Sequence, residues 1–232
     1  MSCVEILHTL TESYACKRDR ERELIVSFDI KGEASMWHIA SQPGGDVRLA
    51  EGDHSEASFT VVFSAETLED LARGRMSPLT AAGRESMKQT APLDVRLPEG
   101  TAFSLEIYHR AVRFIQRFFN PLPAERVCIE PEASRMVHGA HVVALYADAG
   151  FRSAWYFLKP GQRLNEPGDT NPFPQAFVIL SGSGRARIGN ETLVLEAGNA
   201  YHVPPHAEHV VEPGPDSKGP VELIWMAWGE GA

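Results

Sequence analysis

The sequence is poor in cysteine. Its 232 residues include only Cys3, Cys16 and Cys128, and none of them forms a Cys-x-x-Cys pair. An odd number of widely spaced cysteines argues against a disulfide framework and fits a reducing compartment. We therefore expect a cytoplasmic protein whose thiols are inert, because a reactive thiol needs a lowered pKa that this pattern does not indicate.

The sequence also lacks the apolar segments that membranes require. No stretch approaches the length of a membrane-spanning helix. The first 17 residues show no basic lead followed by an unbroken apolar run, so no secretory signal is expected. These features predict that the protein does not insert into a membrane.

Positive charge is in deficit. Lys and Arg number 22 against 31 Asp and Glu, which gives a net charge of −9. A nucleic-acid-binding protein would be expected to show a basic face, so no nucleic-acid partner is predicted. The chain also lacks a Gly-rich phosphate loop and a Gly-x-Ser-x-Gly motif. Its length and its hydrophobic content of 43% predict one large or two small globular domains.

The N-terminal half reads as strands followed by helices. Leu24, Val26, Phe28 and Ile30 alternate with other residues, which is typical of a strand with one buried face. Further strand candidates follow, and Ser64 is then a natural N-cap for a short helix. The order predicts an α+β domain.

This order resembles the sterol carrier protein family. The resemblance is carried by residues 28–32, Trp37, residues 51–52, residues 61–66, Leu68, Leu71 and the segment Gly74-Arg75-Met76-Ser77-Pro78. It implies a small twisted sheet with helices over one face and an apolar tunnel that holds a lipid or another small hydrophobic ligand. The lipid-binding residues would be Trp37, Leu68, Leu71, Met76 and Ile115. Trp37 and Met76 are equally well explained as ordinary core residues.

A domain boundary is predicted near residue 120. Residues 103–119 form an apolar helical pattern that would cover the N-terminal sheet or the seam between two domains. Asn120-Pro121-Leu122-Pro123 would end this helix and act as a stiff linker. The predicted domains are residues 1–120 and 121–232.

The C-terminal half contains two short patterns joined by a hairpin. The first is Lys159-Pro160-Gly161 followed by the strand at residues 175–184, which ends in Leu-Ser-Gly-Ser-Gly. The second spans residues 196–209 and contains Gly198, Pro204 and His209. Gly189-Asn190 lies between them and is a typical two-residue hairpin turn.

These patterns resemble the cupin family. The resemblance implies an all-β double-stranded β-helix, which is a jelly-roll barrel with a central pocket, and it implies a homodimer. Metal-dependent cupins hold a divalent transition metal with three histidines and a carboxylate. The corresponding positions fall near Gly168 and Thr170, on Gln175 and on His209, so His209 is the one metal ligand retained.

The predicted barrel pocket contains His209, Gln175, Trp155 and Glu166. Asn165, Glu166 and Asp169 supply oxygen atoms from the adjacent loop and could rebuild a metal site. The catalytic residues, if any, are not identified by the sequence. Loss of metal ligands does not remove a barrel cavity, so an organic ligand remains a reasonable occupant.

Three hypotheses follow for function. The leading one is a small-molecule or lipid-binding protein that combines the N-terminal tunnel with a metal-poor cupin pocket. The alternative is a metal-dependent cupin enzyme, an isomerase, lyase or oxygenase, that acts on a hydrophobic substrate delivered by the N-terminal domain. In the third, the barrel is purely structural.

Overall fold

A computed structural model describes residues 1–18, 23–84, 89–121, 126–215, 217 and 219–232. The chain divides into two compact units, Met1–Cys128 and Ile129–Ala232. This division lies eight residues after the boundary predicted from the sequence. Leu122 and Pro123 of the predicted linker lie outside the described residues.

The first unit contains both helices and strands. Its elements are α1 (Cys3–Lys17), β1 (Leu24–Lys31), β2 (Trp37–Ser41), β3 (Val47–Glu51), β4 (Phe59–Ser64), α2 (Ala65–Ala72), α3 (Pro78–Ala82), β5 (Asp94–Arg96) and α4 (Leu105–Phe118). Ser64, Ser77 and Ser104 cap α2, α3 and α4, because each hydroxyl accepts a hydrogen bond from a backbone N–H three residues later.

The five strands form one sheet in the order β3-β2-β1-β4-β5, in which β1 and β4 are parallel and the other neighbours antiparallel. Val26, Phe28 and Ile30 share one face, and the four helices contribute apolar side chains to the same core. Phe118 of α4 stacks on Phe28 with ring centroids 5.0 Å apart. The predicted layer of helices over one face of a sheet is therefore confirmed for this unit, and α4 covers that sheet.

The predicted lipid tunnel is not supported. Leu68, Leu71 and Ile115 are buried in the core of this unit, and Trp37 and Met76 are partly buried against it. None of the five lines the cleft beside α4 that Tyr14, Leu24 and Ser41 border. They are core residues here because the aromatic side chains of α4 fill the space between helices and sheet.

The second unit is almost entirely β-structure. After a 3-10 turn (Pro131–Ala133) come β6 (Arg135–Val137), β7 (Ala140–Asp148), β8 (Phe151–Leu158), β9 (Gln175–Ser181), β10 (Ser183–Ile188), β11 (Glu191–Glu196), β12 (Ala200–Val203), β13 (His209–Pro213) and β14 (Val221–Trp228). They form a six-stranded sheet, β12-β9-β14-β8-β7-β6, and a three-stranded sheet, β11-β10-β13. One core contains side chains from both sheets, so the sheets face each other as in a barrel.

Turn chemistry explains several of the connections. Gly189-Asn190 closes the β10–β11 hairpin, with Ile188 paired to Glu191, as the sequence predicts. Gly182 joins β9 to β10 with φ +80°, and a Cβ atom there would lie 2.1 Å from the carbonyl oxygen of Pro220. Only glycine fits this position without a backbone shift.

No helix within the described ranges is long and apolar enough to cross a membrane. No disulfide joins Cys3, Cys16 or Cys128, of which Cys16 and Cys128 are exposed.

Candidate functional site

The candidate site lies on the inner face of the barrel, where three strands lie side by side. Ala227 of β14 pairs with Arg152 of β8 on one side and with Gln175 of β9 on the other. Directly paired residues point to the same face of a sheet, so Arg152 and Gln175 belong to one row. Two inter-strand steps separate their backbones by about 10 Å.

Gln175 is the polar centre of this row and only 1% exposed. Its Oε1 atom accepts hydrogen bonds from Nε1 of Trp225 at 2.7 Å and from Nδ2 of Asn171 at 3.2 Å. An indole N–H can only donate, so the atom facing Trp225 must be the oxygen of the amide. The Nε2 atom of Gln175 is buried and has no hydrogen-bond partner among the described residues. The amide is thus held in one orientation, with its N–H donors unused.

Arg152 adds positive charge beside this group. Its guanidinium carbon lies 5.0 Å from the ring centre of Phe173 and 6.0 Å from that of Trp225. Nη2 donates to the carbonyl oxygen of Gly231 at 3.3 Å. The buried Nε atom of Arg152 lacks a hydrogen-bond partner in the described part of the chain. Two rings and one carbonyl therefore hold the cation at the edge of the barrel.

His209 of β13 lies on the facing sheet and is also 1% exposed. Its cross-strand partner Ile188 packs against the barrel core, so the imidazole points inward. Nδ1 is 3.1 Å from the carbonyl oxygen of Ala207. A carbonyl can only accept, so Nδ1 carries the proton and Nε2 is left as an acceptor. Burial lowers the pKa of His209 below its usual value, and the Ala207 hydrogen bond offsets this in part.

Gln175 and His209, both of which point into the barrel, share Phe177 as a neighbour. The ring of Phe177 lies 6.0 Å from the ring of His209, and Phe177 follows Gln175 by two residues on the same strand face. The backbone of His209 is held by Asn165, whose Nδ2 donates to the His209 carbonyl oxygen at 3.2 Å. Asn165 adopts φ 65°, and its N–H donates to the carbonyl oxygen of His138 at 2.9 Å.

Trp155 and Glu166 lie apart from this site. Ala154, Tyr156 and Leu158 of β8 pack in the barrel core, so Trp155 points to the opposite face of the sheet, where it stacks on Phe157. Glu166 has a side chain that is 78% exposed, and its carboxylate lies 3.9 Å from Arg163. Of the four predicted pocket residues, the structure therefore turns only Gln175 and His209 toward the barrel interior.

The described residues do not fit the metal centre that the cupin resemblance implies. Nowhere in the described ranges do three or more His, Cys, Asp or Glu side chains come together to hold a metal ion. Gln175 cannot replace the missing carboxylate, because its oxygen already accepts two hydrogen bonds and its nitrogen presents hydrogens. His202 and His206 are exposed. We therefore derive no chemical step through a metal.

Sequence reasoning missed Arg152 and Asn171. The period-two pattern of β8 contained a signal for Arg152, because it occupies the same parity as Ala154, Tyr156 and Leu158. Asn171 had no such signal, since it lies in the loop before β9 and reaches Gln175 only through the loop's path.

Comparison with known proteins bears on the second unit. Residues 154–227 match the model of the family described as cupin domain. The C-terminal part of the chain therefore contains a cupin domain. No curated protein matches the sequence. The comparisons offer no support for the sterol-carrier resemblance of the first unit, which stays a prediction.

Several solved structures are similar to this chain. A protein from Photorhabdus luminescens is 14% identical, with 46% of this chain and 88% of that one covered and a TM-score of 0.41. A cupin 2 conserved barrel domain protein from Salinispora arenicola is 15% identical, with coverages of 46% and 89% and a TM-score of 0.40. An RmlC-like cupin from Shewanella frigidimarina is 17% identical, with coverages of 41% and 80% and a TM-score of 0.36.

Proposed function

We propose that this protein is a small-molecule-binding protein whose cupin domain holds a neutral organic ligand without a metal ion. The observation that carries the proposal is the buried amide of Gln175, whose Nε2 hydrogens have no partner among the described residues. A buried donor left unpaired costs about 1–3 kcal/mol. A ligand that accepts a hydrogen bond from this atom recovers part of that cost, which favours binding.

The polarity of the site indicates the kind of ligand. Gln175 offers a hydrogen-bond donor, and the Nε2 atom of His209 offers an acceptor. A group with both an acceptor and a donor, such as a carboxamide, a lactam or a protonated carboxylic acid, would match them. Both side chains are 1% exposed, so a neutral group is favoured because a charge would lose its hydration there.

The experiment uses the full chain and two small amides, acetamide and pyrrolidinone, with N-methylpyrrolidinone as the ligand that lacks the donor. Binding should raise the melting temperature with increasing ligand concentration, since a ligand that binds only the folded state stabilises it. We expect pyrrolidinone to bind more tightly than its N-methyl form. Chemical-shift changes at Gln175 and Trp225 should locate the site.

Two variants with the same side-chain change separate recognition at Gln175 from a general effect of the substitution. Gln175→Met keeps the length of the side chain but removes the Nε2 donor, so the affinity for pyrrolidinone should fall about tenfold. Gln162→Met is the control, because the Oε1 atom of Gln162 accepts from the backbone N–H of Lys159 and its Nε2 atom faces the sulfur of Met136, in the turn that follows β8. Equal loss in both variants, or no binding by the unmodified chain, would contradict the proposal.

Elemental analysis of the protein purified without chelator tests the alternative function. About one transition metal per chain, retained in the unmodified protein and lost in His209→Ala, would overturn the metal-free proposal. It would favour the metal-dependent cupin enzyme instead.

A further inference from the structure

A second candidate site lies in the first unit, and its lining includes none of the predicted tunnel residues. A cleft of about 230 Å³ opens between α1, the adjoining ends of β1 and β2, and α4. Its lining combines Tyr14, Glu23, Leu24 and Ser41 with residues of α4. Neither the cupin match nor the proposed barrel site involves this part of the chain.

The wall formed by α4 is basic. Arg110, Arg113 and Arg117 are spaced three and four residues apart, so their side chains follow one face of the helix. Glu106 is the only acidic residue of α4, and its carboxylate lies 3.6 Å from Arg110. The guanidinium group of Arg117 has no ion pair or hydrogen bond with any residue that the structure describes. This concentration of arginine stands out in a chain whose net charge is −9.

The floor of the cleft is apolar and aromatic. Tyr14, Leu24 and Phe114 are all buried, and the rings of Tyr14 and Phe114 pack edge to face at 5.3 Å. A surface of this kind binds the apolar body of a ligand by removing it from water. The cleft is smaller than the usual range for drug-sized ligands, about 300–1,000 Å³, so its volume suits a molecule with one ring.

Ser41 is an independent sign of a ligand. It lines the cleft and is only 2% exposed. Its Oγ atom accepts a hydrogen bond from Nη1 of Arg18 at 3.1 Å. Within the described ranges, the Ser41 hydroxyl hydrogen has no acceptor of its own. An acceptor supplied by a ligand would complete the hydrogen bonding of this buried hydroxyl.

We propose that this cleft binds a small oxyanion attached to a single apolar ring, with the anion facing Arg117 and Ser41 and the ring resting on Phe114 and Leu24. A carboxylate and a phosphate monoester share this chemistry. Guanidinium groups bind both because their planar N–H donors match paired oxygen atoms. The glutamates at the cleft, Glu23 and Glu106, disfavour a second negative charge on the ligand, which favours the carboxylate.

The test is isothermal titration of the full chain with four probes. Benzoate and phenyl phosphate carry both the ring and the anion, benzyl alcohol carries only the ring, and inorganic phosphate carries only the anion. We expect benzoate to bind most tightly, and benzyl alcohol and inorganic phosphate at least tenfold more weakly. Tighter binding of phenyl phosphate than of benzoate would assign the site to phosphate monoesters. Equal binding of benzyl alcohol and benzoate would overturn the proposal.

Variants locate the site. Arg117→Met keeps an unbranched apolar stem and removes the guanidinium with its charge, so the benzoate affinity should fall about tenfold or more. Ser41→Ala should weaken benzoate about threefold to tenfold by removing one buried hydroxyl donor. The control is Arg48→Met, which makes the same charge change at an exposed position of β3 outside the cleft and should leave affinity within about twofold. Circular dichroism checks that each variant is folded.

Equal weakening by Arg117→Met and Arg48→Met would reduce the effect to general electrostatics and refute the site. Benzoate binding that survives in Arg117→Met but is lost in Gln175→Met would move the anion to the barrel. The two proposals therefore fail separately, because each has its own variant and its own probe.

Discussion

Replacement of Gly182 by alanine should destabilise the barrel more than replacement of any open-turn glycine. Gly182 links β9 to β10 with φ +80°. A Cβ atom at this position would lie 2.1 Å from the carbonyl oxygen of Pro220 and 3.0 Å from Cα of Val221. Both atoms belong to the backbone at the start of β14, so no side chain can rotate to make room.

The expected cost has two parts. A left-handed backbone costs alanine about 1–2 kcal/mol relative to glycine. Relieving the contact with Pro220 requires a backbone shift, for which overpacking costs of about 1–3 kcal/mol are typical. We therefore expect Gly182→Ala to lower the free energy of unfolding by about 2–5 kcal/mol. Gly198→Ala is the matched control, because Gly198 has φ +88° but a Cβ atom there would meet no other atom within 4 Å. Gly198→Ala should therefore show only the cost of the left-handed backbone, about 1–2 kcal/mol.

Urea unfolding followed by tryptophan fluorescence measures this difference. Trp155, Trp225 and Trp228 belong to the unit Ile129–Ala232, so they report on the barrel. Midpoints and slopes are compared between the two variants and the unmodified chain. Equal destabilisation by Gly182→Ala and Gly198→Ala would refute the argument that close approach of β14 requires glycine here.

Three further predictions follow from buried polar groups. Burial lowers the pKa of His209 in the folded state, so the unfolded chain binds a proton at His209 more readily than the folded chain. The free energy of unfolding should therefore fall as the pH drops below about 6.5. Over the same pH range, the urea midpoint of His209→Phe should fall less than that of the unmodified chain. The hydroxyl of Ser27 donates a hydrogen bond to Asp53 and lowers the pKa of that carboxyl, so Ser27→Ala should raise this pKa, which NMR titration measures. Ionised Asp53 stabilises the folded state above its unfolded pKa, and in the variant this contribution should be lost at a higher pH as acid is added. Trp225→Phe removes the donor to Gln175 and should cost about 1 kcal/mol in thermal unfolding, and an unchanged melting curve would contradict that role.

The contrast between Trp155 and Trp225 shows where sequence reasoning stopped. Both tryptophans lie in apolar strands, and composition alone cannot tell which one points into the barrel. The structure decides by register, because Ala154 pairs with Trp225 while Trp155 pairs with Ile224. A shift of one residue reverses every side chain of a strand, so the pocket depends on a pairing that neither strand encodes alone.

The hydrogen-bond partners of Gln175 likewise could not be predicted from the sequence. The sequence places an amide where the cupin resemblance implies a carboxylate. Only the structure shows that Trp225 and Asn171 use its oxygen and leave its nitrogen inward without a partner among the described residues. The cytoplasmic location and the homodimer stay predictions.

Local patterns in the sequence were sufficient for the strand at residues 24–30, the Ser64-capped helix and the Gly189-Asn190 hairpin, because alternation, caps and turn glycines act over a few residues. The jelly-roll class of the C-terminal unit came from the resemblance to the cupin family, which the family match supports. Tertiary structure decided the role of the predicted lipid residues, the partners of Gln175 and the cleft beside Arg117. Each of these depends on side chains that are distant in sequence. Their packing is set by which faces meet when the whole unit folds, and no local pattern specifies that.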